Sequence, residues 1–197
     1  MSHKFIHDHF EIARDVMDKF INDSKNFLLI EQSIACFAKS LKNGGKILSA
    51  GNGGSMCDSM HFVQELTGRF RKDRPAIAAM AMGDPAHLTC VSNDFGYDHV
   101  FSRYIESLGK KGDVFLAIST SGHSKNVLLA CTAAKKQGMS IVALTGKDGG
   151  ELKDMADFAL VVPSLMTDHI QEIHIKIIHT FIEGIERELY PEHYSKS

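Results

Sequence analysis

The sequence has no tryptophan, only four prolines and only four cysteines among its 197 residues. Cys36, Cys57, Cys90 and Cys131 form no CxxC pair and no zinc-finger spacing. That excludes a metal knuckle built on thiolates. Three of the four sit in apolar helical surroundings, so buried free thiols in a reducing compartment are expected. No charge of one sign dominates: 22 Lys and Arg face 24 Asp and Glu, for a net charge of −2. The molecule as a whole therefore exerts no electrostatic pull on nucleic acid or on acidic membranes. No apolar run approaches a membrane span, and residues 1–10 contain no apolar leader core. A cytoplasmic, soluble protein is expected, with no nucleic-acid or membrane partner. What the sequence does contain is 44% hydrophobic and 23% charged residues, an ordinary globular balance. A chain of this length can bury a full core without staples.

The hydrophobic pattern changes period along the chain. Ile6, Phe10, Ala13, Met17 and Phe20 follow helical spacing, and so do Ile30, Ile34, Phe37 and Leu41. Gly44-Gly45 ends this N-terminal helix pair, which sets a division at 1–45 and 46–197 within one compact unit. From there, short apolar runs at 46–50, 76–82, 113–118, 140–144 and 158–162 read as strands. Helical stretches alternate with them at 55–68, 84–93, 97–108, 125–137 and 168–189. Ser55 is the expected N-cap of the first of these. Strands that are apolar throughout, joined by helices, predict a doubly wound α/β fold with a five-stranded parallel sheet flanked by helices. Ligands in such sheets bind beyond the carboxyl ends of the strands, near the switch point.

Two turns occupy those ends. After the 113–118 strand comes Ser119-Thr120-Ser121-Gly122-His123-Ser124, with four hydroxyls in six residues ahead of a helix. Free N–H groups and the helix dipole favour an anion there, and hydroxyls add donors without charge. A single Ser or Thr would be only a cap, whereas four with a glycine point to a phosphate cradle. After the 46–50 strand comes Gly51-Asn52-Gly53-Gly54-Ser55. It is neither the dinucleotide fingerprint, since Met56 stands where a glycine is needed, nor a P-loop. On its own it is as much a tight turn as a ligand site.

Several polar residues have spacing that suits chemistry. His61 and Glu65, at i and i+4, share one helix face. They could be a solvated pair, two metal ligands, or a base with its partner. The last helix carries Asp168, Gln171, Glu172, His174 and His179. By rotation Glu172 aligns with His179 better than Gln171 does, and periodicity does not choose between them. Ile170, Ile173, Ile177 and Phe181 form the stripe that faces the core. A carboxylate and an imidazole near a phosphorylated sugar suit proton transfer beside a carbonyl. Asn93-Asp94 reads by default as a turn. Arg69, Arg71, Lys72 and Arg74 read as a solvated loop or as a clamp for an anionic ligand.

These segments together resemble the SIS-domain family of phosphoheptose isomerases. The resemblance is carried by Gly51-Asn52-Gly53-Gly54-Ser55, by His61-Phe62 with Glu65-Leu66-Thr67-Gly68-Arg69, and by Asn93-Asp94-Phe95-Gly96. It continues in Ser119-Thr120-Ser121-Gly122, in 144–150 and in Ile170-Gln171-Glu172-Ile173-His174. It covers nearly the whole chain in order. It implies the SIS fold with flavodoxin-like strand order, and conversion of sedoheptulose 7-phosphate to D-glycero-D-manno-heptose 7-phosphate through an enediol. That reaction is the first step towards the heptose of the lipopolysaccharide core. It further implies Glu65 and His179 as the acid/base pair, with Asp168 beside the sugar. One zinc per subunit is implied, on His61, Glu65, Gln171 and His179. Substrate contacts are implied from Asn52, Gly53, Gly54, Ser55, Glu65, Arg69, Asn93, Asp94, Ser119, Thr120, Ser121, Ser124 and Gln171. The family forms homotetramers with sites between subunits, which would occupy the apolar faces of the helix pair. Met56 and His123 depart from the family's usual His and Asn. Three alternatives remain at this level: a non-catalytic adaptor of the same fold that binds the bacterial replication initiator, a sugar-phosphate-binding regulatory domain, and an isomerase of another sugar phosphate. The adaptor lacks residues matching Glu65 and His179, which this chain has.

Overall fold

The computed structural model describes residues 3–195. Two helices, α1 (His3–Asn22) and α2 (Ser24–Lys42), precede the first strand. The strands are β1 (Ile47–Gly51), β2 (Ala79–Ala81), β3 (Val114–Ser119), β4 (Ser140–Gly146) and β5 (Phe158–Val162). Between and after them run α3 (Gly54–Thr67), α4 (Pro85–Phe95), α5 (Val100–Leu108), α6 (Lys125–Gln137), α7 (Gly150–Met155) and α8 (Thr167–Leu189). The strands pair in parallel in the order β2-β1-β3-β4-β5. This is the expected five-stranded doubly wound sheet with flavodoxin-like order. Its switch point falls between β1 and β3, where the chain reverses its direction of travel across the sheet.

Alternation along the strands explains why both faces are covered. Ile47, Val114, Leu116, Ile118, Val142, Leu144, Leu160 and Val162 enter one core, with Phe37 of α2, Phe62 of α3 and Phe181 of α8. Leu48, Ala50, Phe115, Ala117, Ile141 and Ala143 enter the other, with Val127 and Cys131 of α6 and Phe101 of α5. Successive side chains of a strand point to opposite faces, so a run of apolar residues must feed two layers of helices. Phe37 meets Phe62 and Phe181 with ring centroids 5.8 and 5.4 Å apart, tying α2 to α3 and α8. Ile170, Ile173, Ile177 and Phe181 are buried, as the periodicity of the last helix requires.

Several expectations are corrected. The strand expected over 76–82 forms only at Ala79–Ala81, because β2 is an edge and pairs with β1 alone. Before it, Ile77 N donates to Leu66 O rather than to a strand. The helix expected from 97 begins with a 3-10 turn, Tyr97–His99, entered from Gly96 at φ 88°. Ser55 does not cap α3: Gly53 stands at the N-cap with φ 54° and ψ −123°, and Ser55 is buried in the first turn. A left-handed backbone is needed there, which serine adopts poorly and glycine readily. Of the cysteines, Cys131 is buried and Cys36 half-buried, while Cys57 and Cys90 lie on exposed helix faces. The α1 stripe is used only in its second half. Phe20 is buried and Met17 packs against the core, but Ile6 and Phe10 are 45% and 72% exposed. No described helix is long and apolar enough to cross a membrane.

Candidate active site

The site lies at the switch point. In register, Gly51 at the end of β1 pairs with Ile118 of β3, so the two ligand turns emerge side by side. Between them is a cavity of about 310 Å³ lined by Asn52, Gly53, Gly54 and Ser55 from the first turn. Ser119, Thr120 and Ser124 line it from the second, and Thr167 and Gln171 line it from α8. Three helices therefore begin at this cavity: α3 at Gly54, α6 at Lys125 and α8 at Thr167. None of the three has a side-chain cap hydrogen bond. By contrast, Asp23 caps α2 and Asp84 caps α4, through Lys25 N at 3.1 Å and His87 N at 2.9 Å. Three uncapped positive helix ends aimed at one cavity are an anion site made without a side-chain cation.

The polar walls are held in place by contacts within the serine turn and by others distant in sequence. Ser119 Oγ lies 2.9 Å from Ser124 Oγ, and His123 N donates to Ser121 Oγ at 3.2 Å. Asn52 and Asn126 exchange amide hydrogen bonds at 2.9 and 2.8 Å, and Tyr97 Oη donates to Asn52 Oδ1 at 2.9 Å. Asn126 and Tyr97 escape sequence reading, because nothing local marks them as partners of Asn52. A Cβ at Gly54 would stand 2.5 Å from Gln171 Nε2, so this glycine admits the α8 side chain.

A second cluster forms farther along α3 and α8. His61 Nε2 lies 3.3 Å from Glu65 Oε1 and 3.4 Å from His179 Nε2. His179 stacks on Phe70 at 5.9 Å, and Gln64 Nε2 donates to Glu65 Oε1 at 2.7 Å. Burial, and then the neighbouring His61, pulls the His179 pKa down, which keeps a neutral nitrogen available. Burial pushes the Asp58 carboxyl, one turn before His61, up to about 6, and its Oδ2 has no partner. Arg74 is fully buried. It donates to the carbonyls of Glu65 and Leu66 at 2.7 Å and of Gly68 at 3.0 Å, and pairs with Glu186 at 2.9 Å. It thereby fixes the end of the helix that carries Glu65. In sequence Arg74 stands among the loop cations, and nothing local marks Asp58 as part of this cluster. Glu172 does not meet His179, since it lies against His169 at 3.3 Å.

His61, Glu65 and His179 offer two imidazole nitrogens and one carboxylate oxygen, a donor set that suits zinc. Zinc bonds of about 2.0–2.1 Å put neighbouring donors of a tetrahedron about 3.3 Å apart. Two of the three separations, 3.3 and 3.4 Å, match that spacing, while the donors of Glu65 and His179 stand more than 4.8 Å apart and would have to close on a bound ion. Gln171 stands with the phosphate cavity instead. It is eight residues from His179, about 12 Å along α8. Glu65 is eleven residues from Gly54, about 16 Å along α3. One chain thus keeps the His61–Glu65–His179 cluster away from its anion cavity, towards the far end of α3 and the middle of α8.

The remaining candidates lie at the surface. Arg69 is exposed, with no hydrogen bond or ion pair among the described residues, while Arg71 pairs with Glu183 and Lys72 binds His193 O. Asn93 donates to Asp94 Oδ1 at 2.8 Å at the exposed end of α4. Asp168 lies 3.8 Å from His9 Nε2. Met56 packs against the second core, and His123 faces Glu151 at 3.4 Å.

Comparison with known proteins places this arrangement. The SIS domain family matches residues 8–146. Phosphoheptose isomerase of Glaesserella parasuis is 56% identical over 178 residues, covering 90% of this chain and 93% of that protein. The corresponding protein of Vibrio cholerae is also 56% identical over 178 residues, with the same coverage. Among solved structures, phosphoheptose isomerase from Neisseria gonorrhoeae superposes with a TM-score of 0.88 at 38% identity, over 93% of this chain and 98% of that one. The Francisella tularensis phosphoheptose isomerase gives 0.90 at 35% identity, over 95% and 99%. With the fold and the relatives in agreement over most of its length, the chain belongs to the phosphoheptose isomerase family of SIS-domain proteins.

Proposed function

We propose that this protein converts sedoheptulose 7-phosphate to D-glycero-D-manno-heptose 7-phosphate, the first step towards the heptose of lipopolysaccharide. The observation that carries the phosphate end is the meeting of three uncapped helix N-termini with the hydroxyls of Ser119, Thr120 and Ser124. Such a site binds the phosphate through donors already in place, so little reorganisation opposes binding. The carbonyl end of the sugar is assigned to Glu65 and His179. Glu65 takes the proton from the carbon beside the carbonyl and returns it to the neighbouring carbon. His179 moves the proton between the two oxygens of the enediol. His61, Glu65 and His179 would hold zinc, which when bound polarises a carbonyl oxygen.

The distance between cavity and cluster supports a further element of the proposal. The phosphate cavity of one copy works with the Glu65–His179 cluster of another, in a homotetramer. Gln171, and Asp168 beside it, then reach the sugar and the zinc from the cavity side. The exposed apolar side chains of α1 and α2, among them Phe5, Phe10, Phe27 and Leu28, supply surface for such an assembly. A cytoplasmic location belongs to the same reading. The adaptor alternative is not favoured, because Glu65 and His179 are present and converge on His61.

The deciding experiment mixes purified protein with sedoheptulose 7-phosphate and follows the aldose product. Turnover is expected. No product, with or without added zinc, overturns the isomerase assignment.

A further inference from the structure

Within one chain, the buried residues of α1, Val16 and Phe20, lie in its second half, while Phe5, Ile6 and Phe10 of the first half are exposed. His9 is the point where this half meets the body. Its Nε2 lies 3.8 Å from Asp168 Oδ2, and its ring centroid is 4.7 Å from that of His169. His169 is buried at 2% exposure, and its Nδ1 lies 3.3 Å from Glu172 Oε2. Donor atoms of His9, His169 and Glu172 all fall within 4.8 Å of one another.

We propose that His9, His169 and Glu172 form a second divalent-cation site, of zinc type, that clasps α1 to the first turn of α8. Two imidazoles and a carboxylate are a zinc donor set, with water or Asp168 available for the fourth position. Tetrahedral zinc needs its donors about 3.3 Å apart. One pair already stands at that distance, and His9 and Glu172 are exposed side chains free to close the rest. The buried His169 supplies the fixed ligand. The N-terminal end of a helix disfavours a cation, but Asp168 and Glu172 put two negative charges on this one. Within one chain the site stands apart from the His61 cluster, since His169 and His179 are ten residues apart, about 15 Å along α8. A cation here would anchor α1 to its own chain, beside the apolar surface that α1 offers to other copies.

The test titrates zinc chloride into chelator-stripped full-length protein and counts bound zinc per chain by native mass spectrometry. Wild type should hold one more zinc than His9→Ala and one more than Glu172→Gln. Zinc should slow proteolysis within α1 in wild type and leave His9→Ala as sensitive as before. His9 is exposed, so its replacement leaves the core intact and the comparison valid even where Glu172→Gln misfolds. Equal zinc counts in wild type and His9→Ala overturn the proposal. The reading depends only on that difference, so it stands or falls independently of whether His61, Glu65 and His179 bind zinc.

Discussion

His61 and His179, 118 residues apart in the chain, face each other through their Nε2 atoms at 3.4 Å. Two imidazole nitrogens at that distance cannot both carry a proton towards the other. One must present its lone pair, or a cation must lie between them. Glu65 Oε1, 3.3 Å from the same His61 atom, puts a carboxylate oxygen beside the two imidazoles, the donor types that the proposed zinc needs. Chelator-treated enzyme should therefore lose turnover and regain it on adding zinc. Where zinc is at a hundred times its dissociation constant, unfolding should become harder by about 2.7 kcal/mol. In a His9→Ala background, which removes the second proposed site, adding His61→Ala should abolish most of that gain in calorimetry. An unchanged gain in that double variant would place the metal elsewhere.

The distance between Glu65 and the phosphate cavity gives a sharper test of shared sites. Glu65→Gln should lower kcat roughly 10²–10⁴-fold while sugar phosphate still binds. Thr120→Val removes a cavity hydroxyl that the proposed site uses to bond the phosphate dianion. It should cost about 1.5–3 kcal/mol, mainly as a raised KM. Mixing the two variants under conditions that let subunits exchange should restore activity, because some sites then combine intact Glu65 with intact Thr120. No recovery after demonstrated exchange would mean that each chain completes its own site.

Arg74 and Glu186 form a buried ion pair, and Tyr194 Oη also donates to Glu186 at 2.6 Å. Arg74→Met leaves the Glu186 carboxylate without its main partner. The expected loss is about 3–5 kcal/mol in urea unfolding. Adding Glu186→Leu should recover much of it, since no lone charge then remains. Turnover should recover less than stability, because the Arg74 bonds to the carbonyls of Glu65, Leu66 and Gly68 stay missing.

His174 is wholly buried, with Nε2 against Thr145 O at 3.0 Å and Nδ1 without a partner. Burial drives its pKa down to about 4, against an unfolded value of about 6.5. The unfolded chain therefore binds the proton first. This contribution to stability is complete above about pH 6.5 and is lost as pH falls towards 4. The shift corresponds to roughly 3 kcal/mol over that window. His174→Gln can keep the bond to Thr145 and should flatten this part of the stability profile. A variant whose profile falls as steeply as wild type would assign the loss to other groups.

Much of the fold is legible because its causes are local. A run such as Val114–Ser119 must be a strand buried on both faces, and its partner helices follow from helical spacing. The serine turn could be read as an anion site because its hydroxyls precede a helix. The N-cap at Gly53 was misread because the sequence offers both Gly and Ser there, and only the path of the chain requires φ 54°. The length of β2 was overestimated because its edge position decides how much of 76–82 finds a partner. Glu172 seemed the better match for His179 by rotation, yet its neighbour is His169, and His61 approaches His179 from another helix.

The sequence by itself determined the elements, the two ligand turns at strand ends and the chemical types available for an isomerase. These depend on periodicity and on glycine and hydroxyl placement, which act over a few residues. Only the tertiary structure decided which groups meet. Asn52 finds Asn126 and His61 finds His179 because the sheet order sets β1 beside β3 and α3 beside α8. The same packing sets Gln171 at the cavity and His179 at the cluster, because a straight helix keeps residues eight apart about 12 Å from each other.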